Sequence, residues 1–361
     1  MLFRSPDYAD AHYNRGIVLQ VMKHPEAAVL SFDRAIALRP DYAAAWWNKS
    51  LTLLQNGRFA AGLPLYEWRW KLDKLKAAQR VFPQPLWLGN TPIAGKTVLL
   101  HSEQGLGDTL QFCRFAPLVA ARGARVLLQV QAALVPLLQG LEGVSEVIAE
   151  EAVLPAFDCH CPLLSLPLAL GTTLDTIPRN TPYLKAEPAR LREWAARLGE
   201  RRAPRVGLVW SGNPLHPNDR RRSLALANLF AWGLDALQDE FEFISLQKDV
   251  PARDRAFLEG NTALRHFGEA LRDFGDTAAL CGLLDLVVCV DTSVAHLAGA
   301  LGRPVWTLLP HNADWRWLLD RDDSPWYPGM RLMRQRRTGD WQAVIGELRQ
   351  RLRQEFGSRK R

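Results

Sequence analysis

The chain lacks any uninterrupted apolar run approaching the roughly 18–20 residues that a membrane-crossing helix needs. Its longest candidates are broken, one by Pro162 and Pro167 and another by Asp285 and Asp291. No basic segment followed by an apolar stretch opens the sequence, so no secretory signal is read there. Cysteine is scarce, with five in 361 residues at irregular spacing. An odd, scattered set is no disulfide framework, and a reducing cytoplasm is the expected setting. There is no Gly-x-Ser-x-Gly elbow and no phosphate-loop lysine, which weighs against hydrolase and ATPase chemistry. Cys159-His160-Cys161 has no second Cys or His pair at zinc spacing, and strand alternation would turn His160 away from its two neighbours. Asp320-Arg321-Asp322 falls in a charged loop rather than at a strand end. No metal and no cofactor are therefore expected.

What is present is ordinary for a globular protein: 48% hydrophobic and 23% charged residues. Disordered, collagenous and coiled-coil chains are excluded, and the length fits two or three domains. The net charge is +7, and the segment 331–361 alone, with ten Lys/Arg against three Asp/Glu, accounts for it. A nucleic-acid reader would carry its basic stripe on a folded face. This excess reads as a solvated tail, with a membrane surface or acidic partner as the lesser reading.

Pro6-Asp7-Tyr8-Ala9 recurs as Pro40-Asp41-Tyr42-Ala43, at an offset of 34. At the same offset Ala11 matches Ala45, Asn14 matches Asn48 and Phe32 matches Tyr66. In positions 9–42, Gly16 and Ala28 allow close helix packing, Phe32 and Ala35 sit on the second helix, and Pro40 ends the unit. The second copy has Trp46 at the large-residue position and Gly57 in the turn. It departs at Ser50, where a small Gly is expected, and at Gly62 and Pro64, which should loosen its second helix. The two units resemble tetratricopeptide repeats, whose period is 34. Two such units are fewer than a free-standing array needs. Either they pack on the next domain or the natural chain starts upstream. They read as a packing adaptor or as a concave surface for a peptide partner.

Residues 72–95 are charged, then rich in proline and glycine, a linker or docking loop. From Lys96 short apolar strands alternate with helices. Strands are expected at Thr97–His101, Arg125–Val130 and Glu146–Ala149, then at Val206–Trp210, Phe241–Leu246, Leu264–Phe267, Leu286–Val290 and Val305–Leu309. Helices are expected near Thr109–Arg122, Ala132–Gln139, Leu224–Leu237, Thr277–Leu284 and Val294–Leu301. A last helix over 340–356 is capped by Asp340. The fold class is thus α/β, two Rossmann-like halves preceded by an all-α repeat segment. The units are 1–71 (repeats), 72–95 (linker), 96–200 and 201–335 (the two halves), and 336–361 (helix and basic tail). Two such halves leave a cleft at the carboxyl ends of their strands, where ligands bind in open α/β folds.

Three motifs lie at those strand ends. In Gln104-Gly105-Leu106-Gly107-Asp108, Gly105 and Gly107 permit a tight turn and close ligand approach. A dinucleotide fingerprint would want a further glycine at Leu110. Asp108 is a helix cap or a general base. In Asp291-Thr292-Ser293-Val294-Ala295-His296, Thr292 and Ser293 offer amides and hydroxyls to a phosphate at a helix start. His296 reaches a phosphate or sugar oxygen or is a half-buried core histidine, and Asp291 binds there or caps. In the loop from Ser211-Gly212-Asn213 to Arg220-Arg221-Arg222, a small-residue turn and three arginines suit a diphosphate, or form a solvated basic loop. Lys248 is a further candidate cation. Trp315, Trp317, Trp326 and Tyr327 stack a base or sugar, or brace the hinge between the halves.

Gly107-Asp108 together with Asp291-Thr292-Ser293-Val294-Ala295-His296 resembles the heptosyltransferases, glycosyltransferase family 9, over about residues 96–335. Ser293 stands where that family has Gly, and the family's phosphate-contacting Lys loop is replaced by "SGNPLHPNDRRRS". Fusion to helical repeats further resembles bacterial repeat-containing glycosyltransferase-like proteins and the architecture of protein O-GlcNAc transferases. The resemblance implies a GT-B fold with the acceptor on the first half and a nucleotide-sugar on the second. It implies metal-independent, inverting transfer to a protein or glycan acceptor. Asp108 is then the base, and Ser211, Asn213, Arg222, Lys248, Asp291, Thr292, Ser293 and His296 hold the donor. A non-catalytic adaptor, a nucleotide-sugar epimerase and a nucleic-acid partner acting through the basic tail are the competing classes.

Overall fold

The computed structural model describes residues 8–77 and 79–357; Pro6, Asp7 and the basic end Arg359–Arg361 lie outside the described residues. Four helices open it: α1 (Ala9–Val21), α2 (Pro25–Leu38), α3 (Ala43–Gln55) and α4 (Phe59–Tyr66). The starts of α1 and α3, and of α2 and α4, are each separated by the 34 residues of the sequence repeat. The turn inside each pair needs one left-handed residue. Gly57 supplies it at φ 72°, and its counterpart Lys23 is held at φ 60°. Gly16 lets the Phe32 ring lie on α1, since a Cβ there would be 2.5 Å from the ring. At the matching place in the second pair Ser50 is buried, and its hydroxyl donates to the Gly62 carbonyl at 2.9 Å. Gly62 in turn leaves room for Leu54. Two of the three departures from the repeat pattern, Ser50 and Gly62, are thus partners. Pro64 shortens α4 to eight residues, after which the chain tightens into a 3-10 turn, Glu67–Lys71.

The first α/β half is a parallel sheet of β1 (Thr97–His101), β2 (Arg125–Val130), β3 (Glu146–Ala149) and β4 (Cys159–Pro162), in the order β3-β2-β1-β4. The second holds β5 (Arg205–Val209), β6 (Glu242–Ser245), β7 (Leu264–His266), β8 (Leu286–Val290), β9 (Val305–Leu309) and β10 (Met330–Arg334), ordered β10-β9-β8-β5-β6-β7. Read from β7, that is the doubly wound order 3-2-1-4-5-6, with its switch point between β5 and β8. Strands buried on both faces explain the near-continuous apolar runs.

The expected helix 109–122 is broken into Leu106–Phe112, a 3-10 turn and Ala116–Ala120. Pro117 has no N–H to give and crowds the carbonyl four residues back, so the helix cannot run through. The expected helix 224–237 likewise opens into a wide turn at Phe230–Leu234, where Gly233 meets Ile345. The reading of 331–361 as a solvated tail is corrected for residues 331–357. Met330–Arg334 is a buried edge strand, and the helix Trp341–Phe356, capped by Asp340, packs on the second sheet. Three of the basic residues there form ion pairs: Arg331 with Glu355, Arg353 with Glu240 and Arg351 with Glu347.

The helices are joined to the first half by a buried charge network. Arg69, fully buried, donates from Nε and Nη2 to both oxygens of Glu103, at 2.8 and 2.9 Å. It also reaches Glu67 at 2.6 Å and Ser165 Oγ at 2.7 Å. Burial opposes its charge, but Glu103 and Glu67 outweigh that and hold it protonated. Farther along, Trp87 and Ile93 of segment 79–95 enter the core, and the Trp87 N–H donates to the His160 carbonyl. Replacing Arg69 by Met leaves the buried Glu103 carboxylate and the half-buried Glu67 carboxylate without their shared cation. The expected loss is about 3–5 kcal/mol of unfolding free energy, read by urea titration of the full chain. A change below 1 kcal/mol would show that water replaces the guanidinium there.

Candidate functional site

The two Gly/Asp motifs meet. The helix Leu106–Phe112 follows β1 and the helix Ser293–Ala300 follows β8, and they lie against each other across the two halves. Gly107 makes the contact possible, because a Cβ there would be 3.0 Å from His296 Cδ2 and 3.3 Å from Ser293 Cα. Gly105 is extended, with φ −76°, and Gly107 gives close packing between the two helices.

Asp108 is engaged through both oxygens. Oδ2 accepts the Gly105 N–H at 2.9 Å, a capping contact from the first turn of the helix. Oδ1 accepts from Arg316 Nη2 at 2.5 Å. Arg316 is buried and also donates to Asp314 at 2.8 Å. Burial works against its charge, and Asp314 and Asp108 more than offset that, raising its pKa. Arg316 went unread in the sequence. It lies inside an aromatic Trp-Arg-Trp run, and nothing in the spacing links it to a residue 208 positions earlier.

At the end of β8, burial raises the Asp291 carboxyl to about 6, and the nearby Asp314 charge pushes the same way. Thr292 is the N-cap residue of the next helix, yet its Oγ1 is buried without a hydrogen-bond partner. Ser293 is the first residue of that helix, beside Gly107. His296 is buried, with Nδ1 3.0 Å from the Tyr327 hydroxyl and its ring stacked on Trp317 at 5.2 Å. Burial drives its pKa well below the usual value, so the ring is neutral at pH 7.

The loop after β5 divides. Ser211 is fixed by Gln247 and Ser223. Asn213 is exposed, and its Oδ1 accepts the Leu215 N–H in a local turn. Arg222 turns inward under Gly212 and donates to the Asp291 carbonyl at 2.8 Å. Lys248 donates to the Arg272 carbonyl at 3.1 Å, away from this cluster. Asp108, Gly107, Arg222, Asp291, Thr292, Ser293 and His296 are thus brought together. Lys248 and Asn213 are not part of the contact set. The arginines separate as well, since Arg220 and Arg221 face a different cleft.

The aromatic cluster is built inward. Trp315 packs on Phe59, Tyr66, Phe112 and Trp326 at centroid distances of 6.0, 6.0, 6.4 and 6.2 Å, joining the helices to both halves. His160 faces His101, Nδ1 to Nε2 at 3.1 Å. Among the described residues no group of three or more His, Cys, Asp or Glu is placed to hold a metal ion, and no helix is long and apolar enough to cross a membrane.

Residues 272–317 match the family model of glycosyltransferase family 9 (heptosyltransferase). That segment holds Asp291 through His296, Asp314 and Arg316. The chain is 27% identical to protein FlbA of Caulobacter vibrioides over 95% of its own length, and spans about 61% of FlbA. Among solved structures, it is similar to the E. coli ADP-heptose LPS heptosyltransferase II, with 16% identity and a TM-score of 0.49, over 72% of this chain and 99% of that one. It is also similar to a Thermobaculum terrenum O-GlcNAc transferase variant, with 16% identity and a TM-score of 0.33, over 98% of this chain and 80% of that one.

The buried histidines set a pH dependence. Burial lowers His101 to about 3, and His160 and His296 are lowered too, against an ordinary value of 6.5. The unfolded chain therefore binds more protons below pH 6.5, and stability falls as pH drops through that value. Asp291, held near 6 instead of 3.8, and Glu103, also raised by burial, act in the opposite sense, while His216 and His266, lowered by burial, add to the fall. His101 alone is expected to cost about 2 kcal/mol at pH 5. The melting temperature should fall from pH 7 to pH 5, and fall less in a His101→Gln/His160→Gln chain. A melt that is flat over this range in the parent chain would contradict the neutral, buried pair.

Proposed function

We propose that this chain is a glycosyltransferase that moves a sugar from a nucleotide-sugar donor to a protein or glycan hydroxyl. The observation that carries the reading is the meeting of Asp108 with the Ser293–Ala300 helix through Gly107. It puts a carboxylate of the first half beside the switch point of the second. The match of residues 272–317 to the family 9 model supports it. In this reading the two halves form a GT-B pair, and transfer is inverting and metal-independent.

Asp108 accepts the proton of the acceptor hydroxyl as the oxygen attacks the anomeric carbon. The bond to the diphosphate breaks, and the charge that grows on it falls near the amides of Thr292 and Ser293 and the Arg222 guanidinium. Neutral His296 offers a hydrogen bond rather than a charge. The paired helices at the N-terminus are tetratricopeptide units. The second is built into the body, and the first presents Val18, Met22 and Leu30 for a peptide partner.

One observation favours a second reading, a non-catalytic adaptor: both Asp108 oxygens are already engaged. The experiment separates the two. The full chain is screened by thermal shift against nucleoside diphosphates, with and without magnesium. A ligand at 100 times its dissociation constant should add about 2.7 kcal/mol. Release of the diphosphate from the corresponding nucleotide-sugar is then followed. Asp108→Asn should bind donor as before and turn over about 10²–10⁴-fold more slowly. Unchanged turnover would reduce Asp108 to a cap. No nucleotide shift from a folded sample would select the adaptor.

A further inference from the structure

The carboxyl ends of β9 and β10 carry a second cleft, of about 340 Å³, that the Asp108–Arg316 centre does not use. It lies between the end of α1, which contributes Val21, and the segments that follow β5, β9 and β10. Asp108, Asp291, Thr292, His296 and Arg316 do not line it. Trp232 and Trp341 give it an apolar wall, and Arg220 and Arg221 give it charge. Among the described residues no carboxylate lines it, and the side chains that carry charge there are the two arginines. Arg222, the third arginine of the run, is turned away and spent on the Asp291 carbonyl.

Gln335 makes this more than a basic crevice. The residue is 2% exposed and lines the cleft. Its Oε1 accepts the N–H of His311 at 3.3 Å and of Gly339 at 3.0 Å. Two backbone donors fix which end of the amide is oxygen. The other end, Nε2, is buried and has no hydrogen-bond partner. Buried amide donors are ordinarily paired, so this orphan, on a residue that lines the cleft, is a donor left for an acceptor atom bound there.

We propose that this cleft is a ligand site distinct from the proposed donor site, and that it binds an oxyanion, phosphate or carboxylate, carried on a flat ring. The oxyanion accepts from Gln335 Nε2 and from the Arg220 and Arg221 guanidiniums, whose forks match either anion. The ring lies along Trp232 and Trp341. The volume suits a small molecule or one terminal residue of a larger one. Because Val21 comes from α1 and the other groups from the second half, an occupied cleft ties the first helix pair to that half.

The test uses the full chain with phenyl phosphate, benzoate and inorganic phosphate as probes, followed by ligand-observed NMR and calorimetry. Phenyl phosphate or benzoate should bind saturably and more tightly than inorganic phosphate. Whichever of the two binds better names the anion. Arg220→Ala/Arg221→Ala should weaken that binding at least tenfold. Gln335→Glu keeps the two acceptor contacts but replaces the donor with a negative charge, and should weaken it as much. Asp108→Asn, which leaves this cleft untouched, should bind the probe as the parent does. Equal affinity in the parent and the double-arginine variant overturns the site, as does the absence of saturable binding by any probe. Loss of probe binding in Asp108→Asn would place the probe at the central cluster and overturn it too. None of these outcomes depends on turnover, so failure here and failure of the transferase reading are separable.

Discussion

The Asp108–Arg316 pair is the contact on which the centre of the molecule depends. It is the point where the first α/β half, through the helix after β1, holds a charge from the second. Neither partner could be left alone. Arg316 is buried among Phe112 and Trp315, and an unpaired guanidinium there would be strongly destabilising. Asp314 takes a second N–H, and the Trp326 indole donates to the Arg316 carbonyl at 2.9 Å, fixing the short turn that carries it. Buried pairs of this kind add little net stability compared with apolar packing. What this one sets is the register between the halves: Gly107 against Ser293, and Asp108 facing the end of β8.

The helical segment makes that register hard to change. Gln55 Nε2 donates to the Ala313 carbonyl at 3.0 Å, in the loop after β9, while Arg69 holds Glu103 in the loop after β1. Phe59 and Tyr66 press on Trp315 between those two points. One α-helical unit therefore grips a strand-end loop of each half. Opening the cleft must break one grip or carry the helices with one half. The second helix pair is thereby buried against the body through Phe59, Leu63 and Tyr66.

Much of this was legible in the sequence, where local pattern and tertiary role coincide. The apolar runs at 97–101, 286–290 and 305–309 are strands because both faces of a parallel sheet are buried. Asp340 caps the last helix because a carboxylate before an apolar face at 3.6-residue spacing has little else to do. Strand β10 was hidden by its arginines. Arg331 and Arg334 look like the start of a basic tail, yet they sit at the sheet edge, where Arg331 lies over the Trp306 ring and Arg334 donates to the Arg321 carbonyl. Glu103 and Arg316 were illegible for a different reason. Each is an unremarkable charge in its own segment and becomes structural only through a partner remote in the chain. Gly107 was singled out for a turn and ligand approach, and packing between helices leaves the same glycine in the sequence.

The arrangement bears directly on how Asp108 could act. A carboxylate that accepts from both Arg316 and its own helix start is held in one orientation, which under the proposed transfer suits a base before the reaction and opposes it during the reaction. Each oxygen still has a second lone pair, and the side chain retains 20% of its exposure, so an acceptor hydroxyl has an approach. In the proposed transfer, Asp108 loses its charge and its hold on Arg316 as the proton arrives. Asp314 would keep that guanidinium in place, close to Asp291 and the start of the Ser293–Ala300 helix, as negative charge builds on the departing diphosphate. Under that reading the ion pair is a charge held in reserve, released toward the leaving group by the proton transfer that makes it necessary.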